Sequence, residues 1–159
     1  MAGQMKFETI PVTRFEQNCS ILWCETTGKA AIIDPGGDLW LLQDFLDWEN
    51  LELEVILITH GHGDHAGAAK ELAELTGASI EGPHIGDKHL VEGLEAQAKK
   101  YGMTNTRGFT PDRWLEQGDY IQFGDCEIQA RHCPGHTKGH IAYFHEATRS
   151  AFVGDILFR

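Results

Sequence analysis

The chain has 159 residues, 42% of them hydrophobic, with 13 Lys plus Arg against 24 Asp plus Glu and a net charge of −11. That is enough for one domain with one core, expected over residues 1–159. A surface this acidic excludes nucleic acid as the main partner, because binding phosphates needs a basic face. It also gives an anionic substrate no long-range attraction, so such a substrate would need local help from a metal, Lys or Arg.

In chain order, MKFETIPV (5–12), NCSILWCE (18–25) and KAAIID (29–34) read as strands, and PGG (35–37) as a turn. DLWLLQDFLDWE (38–49) has helical spacing at Leu39, Leu42, Phe45 and Leu46, with Asp38 as its expected N-cap. LEVILIT (53–59) reads as a buried strand, and AGAAKELAELTG (66–77) as a helix closed by Gly77. ASIEGP is a short strand, and DKHLVEGLEAQAKKYG (87–102) a helical stretch weakened by Gly93. MTNTRGFTPDRWLEQGDY reads as a loop. YIQFGDCEIQARHC and HIAYFHEATRSAFVGD each read as two strands around a turn. Strands, strand–helix units and strands again predict an α/β layered domain with a mixed sheet and helices outside.

No segment approaches the ~18–20 apolar residues of a membrane span, and MAGQMKFETI lacks the apolar core of a signal peptide. A cytoplasmic protein without membrane contact is expected. Cys19, Cys24, Cys126 and Cys133 form no CxxC pair and read as free, mostly buried thiols. Cys19 and Cys24, five apart in a strand, should point to opposite faces.

Chemistry concentrates in ITHGHGDHAG (58–67), where His60, His62, Asp64 and His65 follow a strand and precede a helix. Gly61 and Gly63 are expected to let the backbone turn tightly there. Neutral imidazoles with a carboxylate suit zinc, iron or manganese. A solvated loop with Asp64 near a helix N-terminus is the plain alternative, but three histidines at this spacing favour ligation. CPGHTKGH adds His136 after the strand CEIQARH, and AFVGDILF adds Asp155 after another apolar run. Three strand ends thus each offer ligands at one rim, the usual way α/β folds build sites.

HxHxDH, then PGHTxGH, then GDxLF, in this order and with IIDPGG ahead, resembles the metallo-β-lactamase-fold hydrolase superfamily across essentially the whole chain. Within it the chain is most similar to the single-domain, glyoxalase II-like (hydroxyacylglutathione hydrolase-like) branch. The resemblance implies an αββα sandwich of two mixed sheets with outer helices. It implies that His60, His62 and His136 hold one metal, that Asp64 and His65 hold a second, and that Asp155 bridges them. Asp64 and Asp155 are the expected catalytic carboxylates. Two zinc ions are expected, with iron or manganese as alternatives. Such a pair, ~3.5–4 Å apart, can share a hydroxide and polarise a carbonyl.

The family pattern also supplies a ligand histidine from a later strand. No His follows His145, so the domain is expected to be C-terminally incomplete, without its last strands and final ligand. The implied substrate is a small-molecule thioester such as S-lactoylglutathione, or a lactone or other ester. Cys is absent from the Asp155 position and His65 is present, which argues against β-lactam hydrolysis. A mononuclear-iron persulfide dioxygenase and an inactive metal-binding domain are the other readings.

Among further residues, Asp34 is expected either to orient a ligand histidine or to make a turn with Gly36. His140 is expected to be packed or at the surface, and His84 and His89 to be exposed. Cys133 is not expected to ligate, and Lys138 leaves its loop freer than proline would.

Overall fold

The computed structural model describes residues 4–103 and 106–154. Strands β1 (Met5–Val12), β2 (Gln17–Cys24) and β3 (Lys29–Ile33) lead to helix α1 (Leu39–Trp48) and strand β4 (Glu52–Leu57). Helices α2 (Gly63–Ala66) and α3 (Ala69–Thr76), strand β5 (Ser79–Glu81) and a 3-10 turn (Ile85–Asp87) follow. Helices α4 (Lys88–Glu92) and α5 (Leu94–Tyr101) precede strands β6 (Tyr120–Phe123), β7 (Cys126–His132), β8 (Ile141–His145) and β9 (Ser150–Phe152).

The strands form two sheets, ordered β1-β2-β3-β4-β5 and β6-β7-β8-β9. The first is mixed: β1, β2 and β3 pair antiparallel, and β3, β4 and β5 pair parallel. The second, expected to be mixed as well, is antiparallel throughout its described strands, because each is joined to the next by a connection too short for a crossover.

Side-chain alternation builds two cores on the two faces of the first sheet. Ile21, Ala30, Ile32, Ile56 and Ile58 face one way, and pack with Leu42 and Leu46 of α1, Leu72 of α3, Val91 and Leu94. Leu22, Ala31, Ile33, Val55 and Leu57 face the other way, onto Ile121, Phe123, Ile128, Ile141 and Tyr143 of the second sheet. A strand segment covered on both faces is apolar at every position, which is why β4, after the exposed Glu52 and Glu54, ends in the buried run Val55, Ile56 and Leu57. Cys19 lies in the first core and Cys24 in the second, as their spacing predicts. The four cysteines are thiols and form no disulfide with one another. The second sheet turns Gln122, Glu127 and Arg131 to solvent. Among the described residues, no helix is long and apolar enough to cross a membrane.

Three local expectations are revised. Asp38 occupies the N-cap position of α1, but in the left-handed region (φ 50) and without a capping bond. Its Oδ2 instead accepts from the Thr13 amide at 2.9 Å, tying α1 to the β1–β2 hairpin. The helical stretch 87–102 is broken at Gly93 into α4 and α5, so that Val91 and Leu94 both reach the core. Gly61 and Gly63 are not among the positive-φ glycines, so tight turning is not their role. Space constrains Gly61 instead, where a Cβ would lie 2.6 Å from Leu90 Cβ, whereas one on Gly63 would meet the movable end of the Met103 side chain, 2.6 Å from its Cε.

Candidate metal centre

Strand β4 ends below the site, and the two residues after Ile58 begin it. Thr59 and His60 are fully buried. The Ile141 amide donates to the Thr59 carbonyl at 2.7 Å, so the rim of the first sheet is fastened to β8 of the second. The next residues carry the backbone into α2, where Asp64 is half-buried and His65 buried. Gly36 lies against this helix so closely that a Cβ would sit 1.7 Å from the Asp64 carbonyl oxygen. The glycine of the IIDPGG turn is therefore required by close approach of two backbones.

His60, His62 and His136 come together, with one ring nitrogen of each within 4.8 Å of the others. His62 Nδ1 and His136 Nε2 are 3.1 Å apart. Two imidazole nitrogens on a tetrahedral zinc, each ~2.0–2.1 Å from the ion, stand roughly 3.3 Å apart. Burial first, then the neighbouring His60 and His136, hold His62 below the ordinary histidine range. It is therefore neutral near pH 7, the form that ligates. Asp64 and His65 stand beside this trio. Asp64 Oδ2 is 3.6 Å from His65 Nε2, and the His60 and His65 ring centres are 4.2 Å apart. The donor set, neutral imidazoles in one group and a carboxylate with an imidazole in the next, fits divalent metal. Asp155 lies outside the described residues.

Behind the histidines stands Asp34, buried and held at φ 59. Its Oδ1 accepts from the Thr59 amide at 2.8 Å, and its Oδ2 from Thr59 Oγ1 at 2.6 Å and His65 Nδ1 at 2.8 Å. Asp34 could form a ligand group with His60 and His65. With both oxygens engaged in these bonds, it orients instead. Its carbonyl also accepts from Gly36 N at 2.9 Å, so it makes the turn as well as the orienting contact. Thr59 has a single hydroxyl proton and gives it to Asp34. At 2.9 Å, Thr59 Oγ1 must then accept from His60 Nδ1. Both His60 and His65 thus carry their proton on Nδ1 and keep the Nε2 lone pair for a metal.

Sequence reasoning missed Asp87. It is fully buried and accepts three bonds: Oδ2 from Gly61 N at 2.9 Å and Thr137 Oγ1 at 2.7 Å, and Oδ1 from Gly139 N at 2.7 Å. It therefore joins the loop of His60 and His62 to the loop of His136. Gln97 was missed too. Its Oε1 accepts from Gly63 N at 2.9 Å, and its Nε2 donates to Gly61 O at 3.0 Å and Leu90 O at 3.2 Å. Nothing in the strings IGD or EAQAKK marks either residue, since their bonds to the histidine loops reach partners 26 to 52 positions away.

His140 is buried and stacked on His60, with ring centres 4.7 Å apart and an interplanar angle of 16°. This is the packed position expected for it. His84, expected to be exposed, is half-buried and stacked on His132 at 3.9 Å. His89 is exposed. Cys133 gives its amide to the His140 carbonyl at 2.8 Å, a loop-closing role.

Residues 12–159 match the family model of the metallo-beta-lactamase superfamily. The chain is 44% identical over 156 residues to the hydroxyacylglutathione hydrolase GloC of Haemophilus influenzae, covering 98% of this chain and 73% of that protein. It is 32% identical over 159 residues to a hydroxyacylglutathione hydrolase of Bdellovibrio bacteriovorus, covering 99% of this chain and 55% of that protein. Among solved structures it is similar to the BLEG-1 B3 metallo-beta-lactamase, with a TM-score of 0.84 and 28% identity over 97% of this chain and 74% of that one. It is also similar to TTHA1623 in a di-iron-bound form, with a TM-score of 0.83 and 32% identity over 96% and 73%. With family model and relatives in agreement, the chain belongs to the metallo-beta-lactamase superfamily, in its hydroxyacylglutathione hydrolase-like branch, and is a metal-dependent hydrolase of that family.

Proposed function

We propose that the chain hydrolyses a small-molecule thioester, with S-lactoylglutathione as the reference substrate, at a binuclear metal centre, and that it works in the cytoplasm. The observation that carries this reading is the pairing of two ligand groups on one rim. His60, His62 and His136 form the first, and Asp64 beside His65 forms the second. Six ligands, counting Asp155 as the bridge, exceed what one tetrahedral ion uses. Zinc is proposed for both positions. The di-iron form of a similar structure makes iron the alternative to be measured.

When bound, divalent cations here lower the pKa of water towards ~7 and polarise a carbonyl oxygen. The chain's own residues do the rest. Asp34 and Thr59 fix the ring orientation and tautomer of His65 and His60. Asp87 keeps the two histidine loops in register. Asp64 stands half-exposed at the rim, where a carboxylate can ligate and hold a proton near the departing group.

The test is release of free thiol from S-lactoylglutathione, run beside a lactone, a β-lactam, and a glutathione persulfide with oxygen uptake followed. Thiol release that a chelator abolishes and zinc restores is the expected result. Oxygen uptake without thioester cleavage would replace the hydrolase with a dioxygenase. Turnover of the β-lactam alone would place the activity with the B3 neighbour.

A further inference from the structure

Strand β2 of the first sheet ends at Cys24, and strand β7 of the second sheet begins at Cys126. Both side chains are buried in the core between the sheets. The Cys126 thiol is hydrogen-bonded to Cys24, so the two sulfurs are already in contact. We propose that Cys24 and Cys126 form a redox modification site, which a peroxide converts into a disulfide that joins the two sheets at the end opposite the metal centre. The site is independent of the hydrolase reading above.

β2 starts at Gln17, whose side-chain amide donates to the Asp34 carbonyl at 2.7 Å, so Cys24 lies a full strand away from the metal rim. β7 runs the same course. It ends at His132, whose ring bonds the Lys138 carbonyl at 2.9 Å in the His136 loop, and Cys126 is at its far end. Two exposed turns close over the pair, 25–27 after β2 and 124–125 between β6 and β7. The second turn is tied to the first sheet: the Gly124 amide donates to Glu54 Oε1 at 2.9 Å, and a Cβ on Gly124 would lie 3.0 Å from Cys24 Cβ. The sulfurs are thus held across the junction of the sheets, one layer below solvent. Local opening of such turns admits a molecule the size of a peroxide. A disulfide needs Cβ atoms ~3.5–4.5 Å apart, and thiols in hydrogen-bond contact need only a small closing movement to reach that.

The surroundings divide the roles. Thr26 Oγ1 is 3.2 Å from Cys24 Sγ. Burial raises the Cys24 thiol, but hydrogen bonds from the Thr26 and Thr27 hydroxyls and from the Asp125 and Thr27 amides outweigh burial and lower it to about 6. Cys126 is pushed up to about 12, by burial first and then by Cys24. Near pH 7 the pair holds one thiolate, on Cys24, with a thiol beside it. The Cys24 thiolate attacks one oxygen of hydrogen peroxide, the O–O bond breaks, and hydroxide leaves to take up the proton that Cys24 had released. Cys126 then gives its proton to the departing hydroxyl of the Cys24 sulfenic acid as the S–S bond forms and water leaves. Two thiols lose two electrons and two protons, and the peroxide is reduced to two waters. Cys19 and Cys133 are internal comparisons: Cys19 is buried in the other core, where burial raises its thiol, and Cys133 is half-buried in the His136 loop.

The test uses the full chain. Hydrogen peroxide is added at pH 7, the remaining thiols are capped under denaturing conditions, and the unreduced digest is read by mass spectrometry. A peptide linked through Cys24 and Cys126, and lost with dithiothreitol, is expected. Its rate of formation should change by less than about twofold between pH 7 and 8, where an unperturbed thiol speeds up roughly eightfold. The thermal midpoint of the oxidised wild type should rise by roughly 5–10 °C, because the bond closes a long loop, and dithiothreitol should reverse the rise. In Cys126→Ser, dimedone should trap a sulfenic acid at Cys24. Oxidation of Cys133 alone, or of no thiol, with Cys24 and Cys126 unlinked, overturns the proposal. So does a link that forms only after the protein has been unfolded.

Discussion

Thr59 has one hydroxyl proton, and its direction decides which face His60 shows to a metal. Oγ1 gives that proton to Asp34 at 2.6 Å and accepts from His60 Nδ1 at 2.9 Å. Thr59→Val keeps the shape and removes the relay. Zinc affinity, measured by competition with a chelator, is expected to fall roughly 10- to 100-fold, as for other residues that orient ligand histidines. Unchanged affinity would mean that His60 is oriented by packing alone, for instance by its stack on His140. The candidate ligands were legible in the sequence because their chemistry lies in residue type and spacing. His60, His62 and His136 converge, and His65 and Asp64 adjoin them. Thr59 was not legible, because a threonine at a strand end is ordinary until its partners are known. Asp34 could be read in two ways, and the structure realises both, as turn and as orienting carboxylate.

At the scale of elements, the centre is a joint between two loops carried by different sheets. Asp87, at the end of the 3-10 turn, takes Gly61 N from one loop and Thr137 Oγ1 and Gly139 N from the other. Asp87→Ala leaves those donors buried without their acceptor. The expected cost is roughly 3–5 kcal/mol in urea unfolding, together with weaker metal binding, because His136 loses its fixed distance from His62. Asp87→Asn, which keeps the shape and one acceptor oxygen, should recover part of both. Wild-type zinc affinity in Asp87→Ala would refute the clasp. Most elements were legible from periodicity, including β1 residue for residue and the Gly77 stop of α3. The break at Gly93 was half legible: the glycine weakened the helix on paper, but packing of Val91 and Leu94 turned weakness into a bend. The antiparallel order of β6 to β9 could not be separated from a mixed sheet by composition alone.

The whole molecule is a sheet buried on both faces, with the centre on the rim where both sheets end. Its stability should depend on pH through histidines packed away from the candidate metal centre. Burial lowers His145, and burial with the nearby His132 lowers His84. Their folded pKa values lie below the ~6.5 of an unfolded histidine, so the unfolded chain binds more protons in acid. Stability is therefore full above about pH 6.5 and is lost as pH falls below it. Thermal midpoints should hold steady between pH 7 and 8 and drop towards pH 5, with a shallower drop in His145→Gln. An equal drop in that variant would assign the effect elsewhere. The central claim, two ligand groups making one binuclear centre, is tested most directly by elemental analysis of protein purified without added metal or chelator. The account predicts two divalent ions per chain, one of them lost in His136→Ala. A chain that carries no more than one ion, or keeps its full complement in His136→Ala, would contradict it.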